Sequence, residues 1–286
     1  MASSSTGPPF STAVPELRIV RAVAAIVLAA ALTTTASTAS AAERSLFIED
    51  YTWPELRDAI AGGRSTVLLP IGGTEQNGPH MALGKHNARV RLLAEKIADA
   101  LGDALVAPVV AYVPEGDPER PTGHLRFPGT ISAPVGAFEQ TLEYAVASLR
   151  RHGFRAIVLL GDHGGYQSSL VRVAERANRA PASRARVFAC TEYYRASQEA
   201  FAARLLEHGY RRDEIGLHAG LADTSLMMAL DPAMVRAEVA AARSPGADDG
   251  VSGDPRRASA ELGREGVGLV VARTVEAVRA RLRSGR

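Results

Sequence analysis

The sequence predicts an α/β fold in which helices cover both faces of a mainly parallel sheet. Three observations carry that prediction. Short β-branched runs alternate with longer stretches of helical periodicity from about residue 43 onward. Two glycine-rich loops bearing His and acidic residues follow directly on strand candidates, where open parallel sheets build their sites. The composition, 46% hydrophobic and 22% charged over 286 residues, suits one large α/β domain and excludes a disordered chain.

The elements follow in order. Thr66 to Ile71 is a short apolar run stopped by Gly72-Gly73 and reads as a buried strand. From Asn87 to Leu101, Val90, Leu93, Ile97 and Leu101 recur at helical spacing, with Asn87 as a candidate N-cap. Leu105 to Tyr112 is the next strand candidate, with Pro108 marking an edge or an irregularity. Val135 to Arg151 places Phe138, Leu142, Val146 and Leu149 on one helical face. Ala156 to Leu160 is a third strand, Ser168 to Asn178 a helix, and Arg186 to Cys190 a fourth strand. Helical patterns cover about Arg195–Glu207, Asp223–Leu230 and Arg264–Leu282. His152 and His208 fall at helix C-termini, and the Gly/Asp/Pro-rich stretch Ser244–Pro255 reads as a surface loop. With no internal repeat or long linker, residues 42–286 form one domain.

Residues 1–41 are unlike the rest. Arg18 and Arg21 precede the uncharged run Ala22 to Leu32, and small residues end at Ala39-Ser40-Ala41. This is the order of a secretory signal peptide, cleaved after Ala41. The run is shorter than the ~20 residues a spanning helix needs. The expectation is an exported protein, periplasmic or secreted, with no membrane association once the signal is removed. A formal charge of +2 gives no nucleic-acid footprint, and 5% aromatics leave few stacking platforms. The lone Cys190 excludes internal disulfides and a Cys-rich zinc module.

Four segments carry candidate chemistry. The loop Gly72–Asn87 concentrates Glu75, Asn77, His80 and His86 behind a strand. Glu and His suit zinc, manganese or iron, although the same loop also reads as a polar turn before a helix. The loop Gly161–Gln167 carries Asp162 and His163 beside Gly164 and Gly165; the carboxylate is placed to ligate or to orient an imidazole. The third segment, Gly216–Leu226, holds His218, a candidate general acid/base, and Asp223, equally readable as a helix-start carboxylate. The fourth, Thr122–Ser132, offers His124 and Arg126 before a Pro-Gly turn.

These segments, in this order, resemble the creatininase (creatinine amidohydrolase) family. Its Glu-Gln-His-Gly-Pro-His-Leu-Pro motif, followed by Asp, stands here as Glu75-Gln76-Asn77-Gly78-Pro79-His80-Met81-Ala82 and then His86. Its Phe-Pro-Gly-Thr-Ile-Ser run is Phe127–Ser132. Its Asn-Gly-His-Gly-Gly-Asn loop is similar to Gly161–Tyr166. Its His-Ala-Gly-x-x-Glu-Thr-Ser segment is similar to His218–Ser225, and Gly253-Asp254-Pro255 precedes the last helix as in the family. The resemblance implies a three-layer α/β/α fold, homo-oligomers that are often hexamers, and metal-dependent hydrolysis of non-peptide C–N bonds.

It also implies two metals. One would sit at positions Glu75, His86 and His163. The other would sit at Asn77, the shared His86 and Gly165. Here the bridging Asp is replaced by His86, whose neutral ring offers one lone pair, and Asn77 and Gly165 are poor second-site ligands. The expectation is therefore one divalent ion, zinc with manganese or iron as alternatives, held by Glu75, His86 and His163 with Asp162 as ligand or orienter. Catalytic roles fall to His218, Asp223 and His80. Substrate contacts fall to His124, Asn77 and the Gly164 and Gly165 backbone, which would stabilise an oxyanion. The expected reaction is hydrolysis of a cyclic amide or related small nitrogen compound by metal-activated water. The competing expectation is a degenerate, non-catalytic binder of a small molecule or metal.

Overall fold

The computed structural model describes residues 45–179, 185–244 and 248–284, with Met1 and Gly7. The chain divides into two units between Ala41 and Ala42, and the sheet and its helices belong to the second. The expected signal peptide and its cleavage point lie outside the described residues.

Four strands form one sheet in the order β2-β1-β3-β4, every pair parallel. β1 (Thr66–Ile71) and β3 (Ala156–Gly161) hold the centre, and each is buried along its whole length. Near-continuous apolar strands are what a sheet covered on both faces requires. β2 (Ala104–Val106) and β4 (Arg186–Ala189) flank them. β1 and β3 pair in register from Thr66 with Ala156 to Ile71 with Gly161. The two central strands therefore end level, and the loops starting at Gly72 and Asp162 leave the sheet side by side.

Alternate side chains of each strand go to opposite layers. Val67, Leu69, Ile71, Leu105, Ile157 and Leu159 face Phe138, Leu142 and Val146 of helix Val135–Arg151 and Leu170 and Val173 of helix Gln167–Asn178. Leu68, Val106, Val158 and Leu160 face Val90, Leu93 and Ile97 of helix Lys85–Leu101 and Val270 and Val278 of helix Ala260–Arg283. Each such fully buried Leu, Val or Phe contributes about 1.5–3 kcal/mol, which ties both helical layers to the sheet. Helix Ala260–Arg283 also crosses helix Leu221–Leu230 at Gly263, where an added Cβ would fall 1.8 Å from the Ser225 carbonyl oxygen. Only glycine permits that approach. Among the described residues, no helix is long and apolar enough to cross a membrane.

The structure departs from the sequence reading in three places. The second strand stops at Val106; the Ala107 N–H still bonds to the Leu68 carbonyl of β1 (2.8 Å), and the chain meets β1 again at a bridge between Ile71 and Val110. Pro108 lies between these pairings and has no N–H to donate. Helix Lys85–Leu101 starts two residues before Asn87, behind Gly84. The Asn87 amide instead accepts from the Gly73 N–H (2.9 Å) and donates to Thr74 Oγ1 (3.1 Å), pinning the loop after β1. The Ser244–Pro255 stretch is more than a surface loop: Ser252 pairs with His218, and the Gly250 carbonyl accepts from the Gln76 amide. His152 and His208 do stand at helix C-caps.

Candidate metal centre

Glu75, on the loop after β1, is fully buried and is the hub of the site. Its Oε1 lies 2.6 Å from His86 Nε2. Its Oε2 has no hydrogen-bond partner and faces His163 Nε2 at 3.5 Å and His124 Nε2 at 3.8 Å. His86 comes from the first turn of helix Lys85–Leu101, and His163 from the loop after β3. The level ends of β1 and β3 bring these segments together.

Behind His86 lies a buried ionic network. His86 Nδ1 is 2.6 Å from Asp162 Oδ2. Asp162 also accepts from Arg89 Nε (2.9 and 3.1 Å) and from the Tyr193 hydroxyl (2.5 Å). Arg89 Nη1 reaches Asp223 Oδ1 at 2.5 Å, and Lys85 Nζ reaches Asp223 Oδ2 at 3.2 Å. Asp223 accepts from the Ala219 N–H as well, which ties the turn before its helix to the ion network; it does not cap the helix, whose N-cap is Gly220.

Electrostatics follow from burial and partners. Burial alone would raise the Glu75 carboxyl, but the His86 hydrogen bond and the charges of His86 and Lys85 outweigh it and hold Glu75 well below the usual range. Burial likewise opposes ionisation of Asp162, and Arg89, His86 and Tyr193 reverse that and keep it low. Burial pushes His163 down to about 4 and, with the Lys85 charge, His218 down to about 3. Both rings are therefore neutral near pH 7, as ligands or hydrogen-bonding groups need to be. Glu115, on the loop after β2, is pushed up to about 8 by burial and then by the Glu75 charge.

Glu75, His86 and His163 present one ligand atom each within 4.8 Å of one another. Two imidazoles and a carboxylate with an open position are a workable set for zinc. The orphaned Glu75 Oε2 fits a cation. Glu75 also forms a second such group with His124 and His218.

The other sequence candidates are placed as follows. Asp162 backs His86 and stands outside both ligand groups. Asn77 is buried and donates to the Glu75 and Ala82 carbonyls (2.8 and 3.2 Å), closing the loop on itself. His80 is buried with Nε2 3.0 Å from Thr224 Oγ1 and stands outside both groups. His218 Nδ1 is 3.6 Å from Glu75 Oε1, and its ring stacks against His124 at 4.2 Å. Gly164 and Gly165 open a 3-10 turn, and the Gly165 N–H points to His163 Nδ1 at 3.3 Å.

Sequence reasoning missed Lys85, Arg89, Gln76, Tyr193 and Glu115. Lys85 left a signal: a cation in a helix's first turn opposes its dipole and needs a reason to be there. Glu115 left none, being a single acidic residue in an irregular loop whose carboxylate lies 3.4 Å from His163 Nδ1.

Comparison with known proteins gives a consistent pattern. The creatininase family, described as creatinine amidohydrolase, matches residues 49–278. The chain is 29% identical over 198 residues to the creatinine amidohydrolase of Pseudomonas putida, covering 67% of this chain and 74% of that protein. It is 30% identical over 226 residues to the mycofactocin precursor peptide peptidase of Mycobacterium tuberculosis (strain ATCC 25618 / H37Rv), covering 70% and 78%. A solved structure of a manganese creatininase superposes with a TM-score of 0.69 at 26% identity, over 83% of this chain and 99% of that one.

Proposed function

The chain belongs to the creatininase family of metal-dependent amidohydrolases acting on non-peptide C–N bonds, and we propose that it opens a cyclic amide or related small nitrogen compound at a single metal held by Glu75, His86 and His163. One observation carries the reading: a fully buried carboxylate sits between two imidazoles, with one oxygen lacking any partner. Solved creatininase structures include manganese and zinc forms, and the three donors here suit either ion. Bound there, a divalent cation supplies Lewis-acid polarisation of a carbonyl and lowers the pKa of water toward about 7.

The chain's own residues do the rest. Asp162 accepts the His86 Nδ1 proton and leaves Nε2 aimed at Glu75. Arg89 and Tyr193 hold Asp162 in place for that task. His218, neutral and beside Glu75, is positioned to exchange a proton with substrate nitrogen. Glu115, at its raised value, is a second proton carrier next to His163.

The test is hydrolysis of a panel of lactams, hydantoins and linear amides by protein stripped with chelator and reloaded with zinc or manganese. Metal-dependent turnover on ring amides supports the reading. Stoichiometric metal without turnover on any of them would favour the non-catalytic binder, which the replacement of two expected ligands by Asn77 and Gly165 motivates. We also read residues 1–41 as an export signal. N-terminal sequencing of the secreted or periplasmic form is expected to begin at Ala42.

A further inference from the structure

The second imidazole pair beside Glu75 has its protons fixed by a single residue, Gln76, through its side chain at His124 and its backbone carbonyl at His218. Two unambiguous backbone groups orient that amide. The Gly78 N–H donates to Gln76 Oε1 at 2.8 Å, and Gln76 Nε2 donates to the Gly250 carbonyl at 2.9 Å. A flipped amide would set two acceptors against each other at Gly250 and two donors at Gly78. Gly250, at φ +79, allows this approach because an added Cβ there would lie 2.4 Å from Gln76 Oε1. Thr130 Oγ1 further ties the segments, accepting from the Gln76 N–H (3.0 Å) and donating to the His124 carbonyl (2.9 Å).

With the amide so oriented, its remaining N–H points at His124 Nδ1, 2.6 Å away. A ring nitrogen that accepts is bare, so the neutral His124 ring carries its proton on Nε2. His218 is fixed by the same residue's backbone: its Nε2 lies 2.9 Å from the Gln76 carbonyl and donates to it. His218 Nδ1 is therefore the bare nitrogen. The 3.2 Å separation of Gln76 Nε2 from His218 Nε2 is then a contact and not a bond, because both amide hydrogens are already committed. His124 Nε2 and His218 Nδ1 both face Glu75, at 3.8 and 3.6 Å.

We infer that Gln76 is a positioning residue that sets opposite faces on this pair, a donor at His124 Nε2 and an acceptor at His218 Nδ1, and that the pair recognises the cis edge of a lactam or cyclic amidine. In such a ring the C=O (or C=N acceptor) and the N–H lie on the same side, so one ring edge meets both imidazoles. An acyclic secondary amide in its trans form turns those groups apart, and N-methylation removes the donor. The inference also decides what the Glu75–His124–His218 group does. With a donor at His124 Nε2 and an acceptor at His218 Nδ1, the group offers a substrate edge two complementary contacts. The assignment rests on the amidohydrolase reading for its substrate class, whereas the proton positions stand independently of it.

The experiment is long-range 15N–1H correlation of the imidazoles in full-length mature protein loaded with one equivalent of zinc, with His124 and His218 assigned by single substitution. The expected spectrum shows His124 and His218 both protonated at Nε2 with bare Nδ1. In Gln76→Met the His124 ring loses its donor and populates both tautomers, while bound zinc stays unchanged. The wild-type spectrum tests the inference even if that variant fails to fold. A wild-type His124 protonated at Nδ1, or shifts showing zinc at either ring, would overturn it. The second arm uses 2-pyrrolidinone and N-methyl-2-pyrrolidinone as competitors of whichever panel substrate turns over. The N–H lactam should compete about tenfold more strongly or better, with the preference lost in Gln76→Met. Equal competition in wild type sinks the substrate assignment. Absence of bound metal sinks the amidohydrolase reading, and the tautomer result is scored separately.

Discussion

Glu75 has histidines on two sides, and the two sides are built differently. On one, His86 lies between two carboxylates, 2.6 Å from Asp162 through Nδ1 and 2.6 Å from Glu75 through Nε2, so without a metal it donates to Glu75 and a cation would take that proton's place. On the other, His124 has an amide N–H from Gln76 at its far nitrogen, so the nitrogen facing Glu75 carries a proton. The rings are chemically the same and lie beside the same carboxylate. The difference teaches that the group behind an imidazole biases which of its nitrogens carries the proton in the metal-free ring. The two sides also differ in burial: His86, Asp162 and Arg89 are sealed from solvent, whereas His124 is half-buried toward the opening.

The largest expected effect breaks both sides at once. Glu75→Ala removes the hub, and bound metal and turnover should both fall to background by elemental analysis and rate assay. Retention of metal in that variant would mean the cation sits elsewhere. Next comes Asp162→Asn, which acts on one side only. Losing the carboxylate behind His86 should weaken metal affinity about 10- to 100-fold. Removing one of the two buried carboxylates on Arg89, with Asp223 still paired to it, should lower stability in urea denaturation by less than the about 3–5 kcal/mol of a fully broken buried pair. If affinity holds while stability drops, Asp162 serves the ion network and not the ligand.

A pH series separates the rings further. In metal-free protein, His163 at about 4 and His218 at about 3 lie below the ordinary 6.5 of the unfolded chain. Below about pH 6.5 the unfolded state binds more protons, so this contribution to stability is whole above that value and is lost as pH falls toward 4. Thermal melts in chelator should show Tm declining from about pH 7 to about pH 4.5, with a shallower decline in His163→Gln. The same slope in both proteins would contradict burial of His163 as a neutral ring. The smallest effect is remote from both sides. Thr52 and Glu55 form the capping box of helix Trp53–Ala61, and Thr52→Ala should cost about 1 kcal/mol with metal content untouched.

The fold was legible because its cause is local. Runs such as Thr66–Ile71 and Ala156–Leu160, and the face Phe138-Leu142-Val146-Leu149, state their burial in their spacing. Glu75, His86 and His163 were legible because each lies at a strand end or helix start that parallel sheets converge on. Gln76 was visible in the motif but silent in role, since its task depends on Gly250, far along the chain in a stretch that read as a surface loop. Lys85, Arg89 and Tyr193 meet only through Asp162 and Asp223, a network no single segment displays. Asn87 looked like a helix cap and pins the preceding loop instead, because Gly72 and Gly73 bring the backbone within its reach.

The measurement that bears most directly on this division is metal per chain, by elemental analysis, on wild type and on the Glu75→Ala, His163→Ala and His124→Ala variants after incubation with zinc. A single centre at Glu75, His86 and His163 predicts one equivalent in wild type and in His124→Ala, and none in the other two. Two equivalents in wild type, falling to one in His124→Ala, would contradict it and make the second side of Glu75 a metal site. No metal in wild type would remove the centre altogether.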